Sequence, residues 1–351
     1  MAKTILQGPL AYKMHSLATA WRVTAGVTAR RAIRKPVVPQ WSTMLEYGTL
    51  LIRHRLEHAF SLPDIRASRA YMDSYYTAPD LDDIAEIHPN KQPGGHWLMP
   101  RSGKNDITML YFHGGGYAFY LAVSLPLIAS FAQTLGIPTF VPDYRLAPEH
   151  PHPAQIEDGV AAYEYLLAQG HDPRWIILCG DSAGGHLVLM AMAHFHAKQL
   201  PQPALAIGLS PWTNIGEREE NMKKNEKYDL LWASQMSQFA AWFKGGRDAG
   251  DEELSPIHQN YQELAPIYLQ AGENEIMIDM IRNFSKTLEK QGARVRLDVW
   301  KHMNHVFQNY GSAMPESREA IAYIQASIAW ALQSDGSKNF STIARTEVNT
   351  L

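Results

Sequence analysis

Leu10, Met14, Leu17 and Trp21 recur every three or four positions, the period of one helical face. Leu45 to Phe60 continues in the same style and ends near Ser61-Leu-Pro63. Tyr71 to Tyr76 predicts a further short helix, closed by Pro79. From about Ile84 the texture changes to short apolar runs. Ile84–Ile87 and Trp97–Met99, separated by Pro93-Gly-Gly95, read as an antiparallel opening pair. Ile107–Phe112 is the first strongly apolar strand, and it runs directly into His113-Gly-Gly-Gly-Tyr117.

Strand and helix patterns then alternate. Leu125–Leu135 reads as a helix and Thr139–Val141 as a strand. Asp143 to Pro153 is a proline-rich loop, and Asp158–Leu167 the next helix. Trp175–Cys179 is apolar throughout, the look of a central strand buried on both faces. The apolar run Leu187–Ala193 is too long for a strand and rich in helix formers. Ala204–Leu209, Ile267–Gln270 and Val295–Trp300 complete the strands, with a helix at Met280–Gln291. Such alternation predicts an α/β fold with a mostly parallel sheet covered on both faces.

Two segments stand outside the alternation. One is the helical N-terminus to about residue 80. The other is Thr213–Glu263, which carries Trp232, Met236, Phe239, Trp242 and Phe243. Insertions at strand ends of α/β sheets cover the site there. The predicted organisation is therefore a cap segment at 1–80 and a core at 81–212. An inserted cap at 213–263 and the rest of the core at 264–333 follow, then a polar, frayed tail at 334–351.

The chain's 351 residues, 46% hydrophobic and 19% charged, allow a sizeable core. A net charge of -3 gives nucleic acid no electrostatic support. The single cysteine, Cys179, falls in a predicted buried strand, so no internal disulfide can form, as suits an intracellular, reducing compartment. Asn283-Phe-Ser and Asn339-Phe-Ser match the glycosylation pattern and are read as chance. No apolar run reaches membrane-spanning length. His54 and His58 share a helical face, but Arg55 occupies the position where a zinc protease motif needs Glu, so that face is read as solvated.

The N-terminus has one peculiarity. Lys3, Lys13, Arg22, Arg30, Arg31, Arg34 and Lys35 are basic, and no acidic residue precedes Glu46. A mitochondrial transit peptide and a membrane-surface helix are two readings of it. The reading adopted from sequence is a helix packed on the catalytic domain.

Gly180-Asp-Ser-Ala-Gly184, between a buried strand and a helix, is a G-x-S-x-G nucleophile elbow in its required context. Acyl transfer by Ser182 needs a base, an orienting acid and oxyanion donors. In α/β-hydrolases the acid and then the histidine follow the serine along the chain. The strand Ile267–Gln270 leads to Glu273, Glu275 and Asp279, and Val295–Trp300 leads to His302 and His305. Strand order alone does not choose within either cluster. Gly114, Gly115 and Gly116 expose bare backbone N–H groups behind a buried strand, and the N–H of Ala183 is the other donor the elbow supplies.

His113-Gly-Gly-Gly-Tyr117, Asp143-Tyr-Arg-Leu-Ala-Pro-Glu-His150 and Gly180-Asp-Ser-Ala-Gly-Gly185 together resemble the hormone-sensitive-lipase-like carboxylesterases of the α/β-hydrolase fold. Ser210-Pro-Trp-Thr213 and Ser255-Pro-Ile257 are similar to weaker signatures of that family. The resemblance runs from about residue 95 to 310. It implies Glu275 as the acid, three residues after Gly272 and in place of the usual Asp, and His305, before Val306-Phe307, as the base. It implies Gly115 and Gly116 as oxyanion donors, with Gly114 as the alternative, and a lid formed by the N-terminal helices and the insertion. Tyr117 and Trp212 are expected at the substrate. Asp181 and Glu149 are read as structural.

The expected activity is hydrolysis of a small to medium, largely apolar ester through an acyl-enzyme, with no metal or organic cofactor. An acyltransferase or cyclase on the same residues, and a non-catalytic ligand receptor, are the rival readings. The expected partner is a small-molecule ester. Surface association through the basic N-terminus, organelle targeting by it, and an oligomer are all compatible with the chain.

Overall fold

The computed structural model describes residues 3–80, 83–103, 106–247, 249–333 and 347–348. The N-terminal region opens with β1 (Lys3–Leu6) and α1 (Leu10–Ala32), followed by α2 (Thr43–Phe60), α3 (Ile65–Met72) and β2 (Tyr75–Ala78). Ser42 caps α2 by accepting the N–H of Leu45, and Asp64 caps α3 by accepting that of Ala67. The helix expected at 71–76 is thus displaced. The Asp64 cap starts α3 earlier, and Tyr75–Ala78 pair antiparallel with Lys3–Leu6 instead. That pairing spans some seventy residues, so no local pattern announces it.

The helix α1 packs on α2, but not through its apolar stripe. Ser16, Thr19, Ala20, Val23 and Val27 are its buried residues, and Ala20, Val23 and Val27 cluster with Leu51 of α2. Leu10, Met14, Leu17 and Trp21 point outward. Small residues permit the close approach to α2 and take the inner face. Arg30 and Arg31 close on the buried Glu46 at 3.0 and 2.9 Å, so two cations offset the cost of burying that carboxylate. The His54/His58 face is not simply solvated either, because His58 stacks on His15 at 3.8 Å between ring centroids.

The core begins with β3 (Glu86–Lys91), β4 (Gly94–Met99) and β5 (Thr108–Phe112). Then come α4 (Ser124–Leu135), β6 (Thr139–Pro142), α5 (Ala154–Ala168), β7 (Ile176–Asp181), α6 (Ala183–Ala197) and β8 (Leu205–Leu209). An insertion carries α7 (Glu219–Lys223), α8 (Ala233–Lys244) and α9 (Asp251–Leu254). The chain finishes with β9 (Ile267–Gly272), α10 (Ile278–Gln291), β10 (Val295–Trp300), α11 (Pro315–Gln333) and the two-residue β11 (Glu347–Val348). Most of the predicted polar tail lies outside the described residues.

The sheet runs β11-β10-β9-β8-β7-β5-β6-β4-β3. Only β4 and β3 are antiparallel to their neighbours, and Pro89 is tolerated because β3 lies at an edge. Trp175, expected at the head of β7, sits in a short turn before it and is partly exposed. Period-two alternation divides the core. Leu110, Phe112 and Leu178 meet α5, α6 and α10, whereas Met109, Tyr111, Ile177 and Cys179 meet α4 and α11.

After β5 the chain steps outward to β6 and then returns past β5 to lay down β7. The loops after β5 and β7 therefore diverge, opening the crevice where such sheets hold their ligands. Above it, Phe60 at the end of α2 stacks on Trp242 and meets Phe239 edge-on, which joins the N-terminal helices to α8. Arg69 of α3 reaches the carbonyls of Ala118 and Ala147 and the carboxylate of Glu149, fastening α3 to the glycine-run loop.

Candidate active site

Ser182 occupies the tip of a sharp turn between β7 and α6, with φ 54° and ψ -118°. A side chain rarely adopts this conformation, and here it lifts the serine out of the strand direction. The flanking glycines are sterically required. A Cβ on Gly180 would lie 2.4 Å from the Gly184 carbonyl oxygen, and one on Gly184 would lie 2.0 Å from that of Phe112. The Ser182 N–H donates to Leu209 at 2.9 Å, which ties the turn to β8.

His305 and Glu275 meet across the ends of β9 and β10. Nδ1 of His305 lies 3.1 Å from Oε2 of Glu275, and both side chains are buried. Since a carboxylate only accepts, Nδ1 carries the proton and Nε2 is left as the basic nitrogen. Burial pushes the Glu275 carboxyl up and the His305 ring down, because charge is disfavoured there. Ser210 opposes the first effect: its hydroxyl lies against Glu275, while its oxygen accepts the N–H of Val306 at 3.1 Å. Asp181 pairs with Leu209 across β7 and β8, so Ser182 and Ser210 follow side by side. His305 is also near enough to Asp181 to draw that carboxyl down against burial.

The other candidates go elsewhere. Glu273 accepts the backbone N–H of His302 at 3.1 Å, and Asp279 pairs with Lys224 at the surface. Of the three carboxylates, only Glu275 reaches the His305 ring.

The glycine run is equally differentiated. The N–H of Gly114 donates to Asp181 Oδ1 at 2.9 Å, an oxygen that also receives the Tyr111 hydroxyl. Gly114 is thereby spent on the fold. Gly115 and Gly116 have φ of 108° and 61°, a region that favours glycine. Gly116 lies so close under Phe239 that a Cβ would come within 2.3 Å of its ring. Ala183 is the first residue of α6, so its N–H has no helical carbonyl to bond. Tyr117 turns inward: it is fully buried, donates to His186 Nδ1 at 2.6 Å and stacks on Phe243. These contacts anchor the loop that follows the glycine run. Trp212 is buried as well, and its N–H donates to the Ser182 carbonyl at 3.1 Å.

Residues 109–309 match the family described as alpha/beta hydrolase fold, Abhydrolase_3. The chain belongs to this α/β-hydrolase family. Among relatives of the hydrolase, an acetyl-hydrolase of Streptomyces hygroscopicus is 33% identical over 64% of this chain and 76% of its own. An esterase of Acinetobacter venetianus is 30% identical over 65% and 77%. A solved esterase from the bacterial hormone-sensitive lipase family superposes with a TM-score of 0.72 and 31% identity, covering 80% of this chain and 97% of that one. An esterase/lipase from an uncultured bacterium gives a TM-score of 0.75 at 28% identity, covering 84% and 100%. The family resemblance carried by the three motifs is borne out.

The hydrolase has one site residue that sequence reading missed. Asp229, in the insertion, is fully buried beside the pair. Its Oδ1 accepts the N–H of His305 at 3.2 Å and of Leu230 at 2.7 Å, and its Oδ2 accepts that of Ile276 at 2.7 Å. Burial, opposed by His305, pushes its carboxyl up to about 6. One side chain of the insertion therefore holds the backbone on both sides of the His305–Glu275 contact. No spacing in the sequence relates residue 229 to 275 or 305. Next to Trp212, a cavity of 290 Å³ is lined by Ile215, Met222, Met236 and Ala240, with Lys244 and Glu217 at polar positions. No helix among the described residues is long and apolar enough to cross a membrane.

Proposed function

We propose that Ser182, His305 and Glu275 form the acyl-transfer centre of this carboxylic-ester hydrolase. The His305–Glu275 contact beside the Ser182 elbow is the observation that supports it. Nε2 of His305 takes the Ser182 hydroxyl proton as Oγ attacks the ester carbonyl carbon. Glu275 holds Nδ1–H, keeping the reactive tautomer and stabilising the imidazolium. The N–H groups of Gly115, Gly116 and Ala183 receive the developing oxyanion. His305 then gives its proton to the departing alkoxide, leaving an ester on Ser182. Water, activated by the same nitrogen, releases the carboxylic acid and restores the hydroxyl.

Preference for a small to medium apolar ester is in keeping with the name acetyl-hydrolase carried by one relative. Stopped-flow hydrolysis of p-nitrophenyl acetate is the test. A burst of p-nitrophenol matching enzyme concentration, lost in Ser182→Ala, is expected. Absence of a burst together with undiminished turnover in Ser182→Ala would falsify the acyl-enzyme.

A further inference from the structure

We propose that the outer face of α1 docks on an anionic lipid surface. The face is apolar at Leu10, Met14, Leu17 and Trp21, which are 70%, 60%, 39% and 75% exposed. Large apolar side chains scattered singly on a surface are ordinary, but four aligned on consecutive turns of one helix form a stripe. The inner face of the same helix is already engaged through Ser16, Thr19, Ala20, Val23 and Val27. The stripe therefore has no partner within the described residues, and it lies on a single helix held against the protein.

Charge selects the occupant. Lys13 and Arg22 fall on opposite flanks of the stripe and make no ion pair among the described residues. Lys3 precedes the helix, and Arg34 and Lys35 follow it, whereas Arg30 and Arg31 are used on Glu46. No acidic residue occurs before Glu46, so the segment is basic within a chain whose net charge is -3. A second copy docked across the same face would bring Lys13 and Arg22 of both copies into one seam, and like charges there oppose association. An anionic bilayer surface accepts the whole arrangement. Apolar residues enter the headgroup boundary, Trp21 sits at its polar edge, and the cations on both flanks meet lipid phosphates.

Flotation of the full chain with vesicles of phosphatidylcholine, with and without phosphatidylglycerol, tests the proposal. Binding to the phosphatidylglycerol vesicles, weakened by added salt, is expected. The double variant Leu10→Ser/Trp21→Ser should lower partitioning at least about tenfold. Lys13→Glu/Arg22→Glu should abolish the preference for phosphatidylglycerol. Because Leu10, Trp21 and Arg22 are exposed and Lys13 is half-buried without an ion pair among the described residues, the melting temperature and the hydrolysis of a soluble p-nitrophenyl ester should stay at wild-type values. Equal binding to both vesicle types overturns the anionic selection, and undiminished flotation of well-folded Leu10→Ser/Trp21→Ser overturns the docking face. A dimer in sedimentation velocity that this variant converts to monomer overturns it in favour of a second copy.

Discussion

Asp229 accepts the backbone N–H of His305 at 3.2 Å, although it belongs to the insertion after β8 and His305 to the loop after β10. With its other oxygen on Ile276, it holds the loops after β9 and β10 against one another. Asp229→Ala should lower kcat about 10- to 100-fold with little change in KM, since small misplacements of a reacting group carry costs of that order. Asp229 also raises the His305 pKa against burial, so its removal should move the acid limb of kcat/KM to lower pH. A variant that melts earlier yet keeps wild-type kcat and pH profile would reduce Asp229 to a fold-stabilising residue.

Glu275→Gln should reduce kcat about 10³- to 10⁴-fold, because the amide cannot favour the productive His305 tautomer. Asp279→Asn should change kcat by less than about twofold, as its partner Lys224 is a surface cation. Steady-state kinetics on one ester separates the two. An inactive Asp279→Asn beside an active Glu275→Gln would reassign the acid.

The Phe239 ring lies over Gly116 with no room for a methyl group. Gly116→Ala also places a side chain at φ 61°. It should lose about 10²- to 10³-fold in kcat, the usual cost of a lost oxyanion donor. Reaction with a fluorophosphonate should still label Ser182, although more slowly. Wild-type kcat in Gly116→Ala would remove this residue from the oxyanion site.

His186 is a buried neutral ring, with Nε2–H donating to the Leu254 carbonyl at 2.8 Å and Nδ1 accepting from Tyr117. Burial pushes its pKa down to about 3, below the ordinary 6.5. The unfolded chain therefore takes up a proton that the folded chain resists, so this contribution is present above pH 6.5 and is lost as pH falls toward 3. Urea unfolding at pH 8 and pH 5 should show the stability gap between wild type and His186→Gln narrowing by about 2 kcal/mol. The comparison cancels the titration of buried carboxylates common to both proteins. A gap that is constant with pH would mean that His186 does not titrate as a buried neutral ring.

The ordinary proton affinity of His305 is likewise lowered by burial. Since the base must be neutral to act, the acid limb of kcat/KM for the wild type should lie below pH 6.5. A limb above that value, measured with an ester that does not ionise, would show that neighbouring carboxylates outweigh burial at the ring.

Much of the site was legible because its parts are local. Gly180, Ser182 and Gly184 form one turn whose steric needs are met within five residues, and the glycine run directly follows the strand that aims it. The strand-helix alternation predicted the sheet for a similar reason, since burial on both faces leaves its mark on each strand separately. The outward Leu10–Trp21 stripe shows the limit of such reading. Periodicity identified one apolar face, but smaller residues on the other face packed more closely against α2.

By itself the sequence determined the class of fold, the family and the serine, because each is written in neighbouring residues with their own steric and burial demands. The motif match pointed to Glu275, but strand order left Glu273 and Asp279 open, and the contact of Glu275 with His305 is a tertiary one. Tertiary structure also committed Gly114 to Asp181, turned Tyr117 inward, and brought Asp229 from the insertion to both loops. Those choices depend on distances between strand ends far apart along the chain, and a hydrogen bond formed there leaves no period or spacing in the sequence.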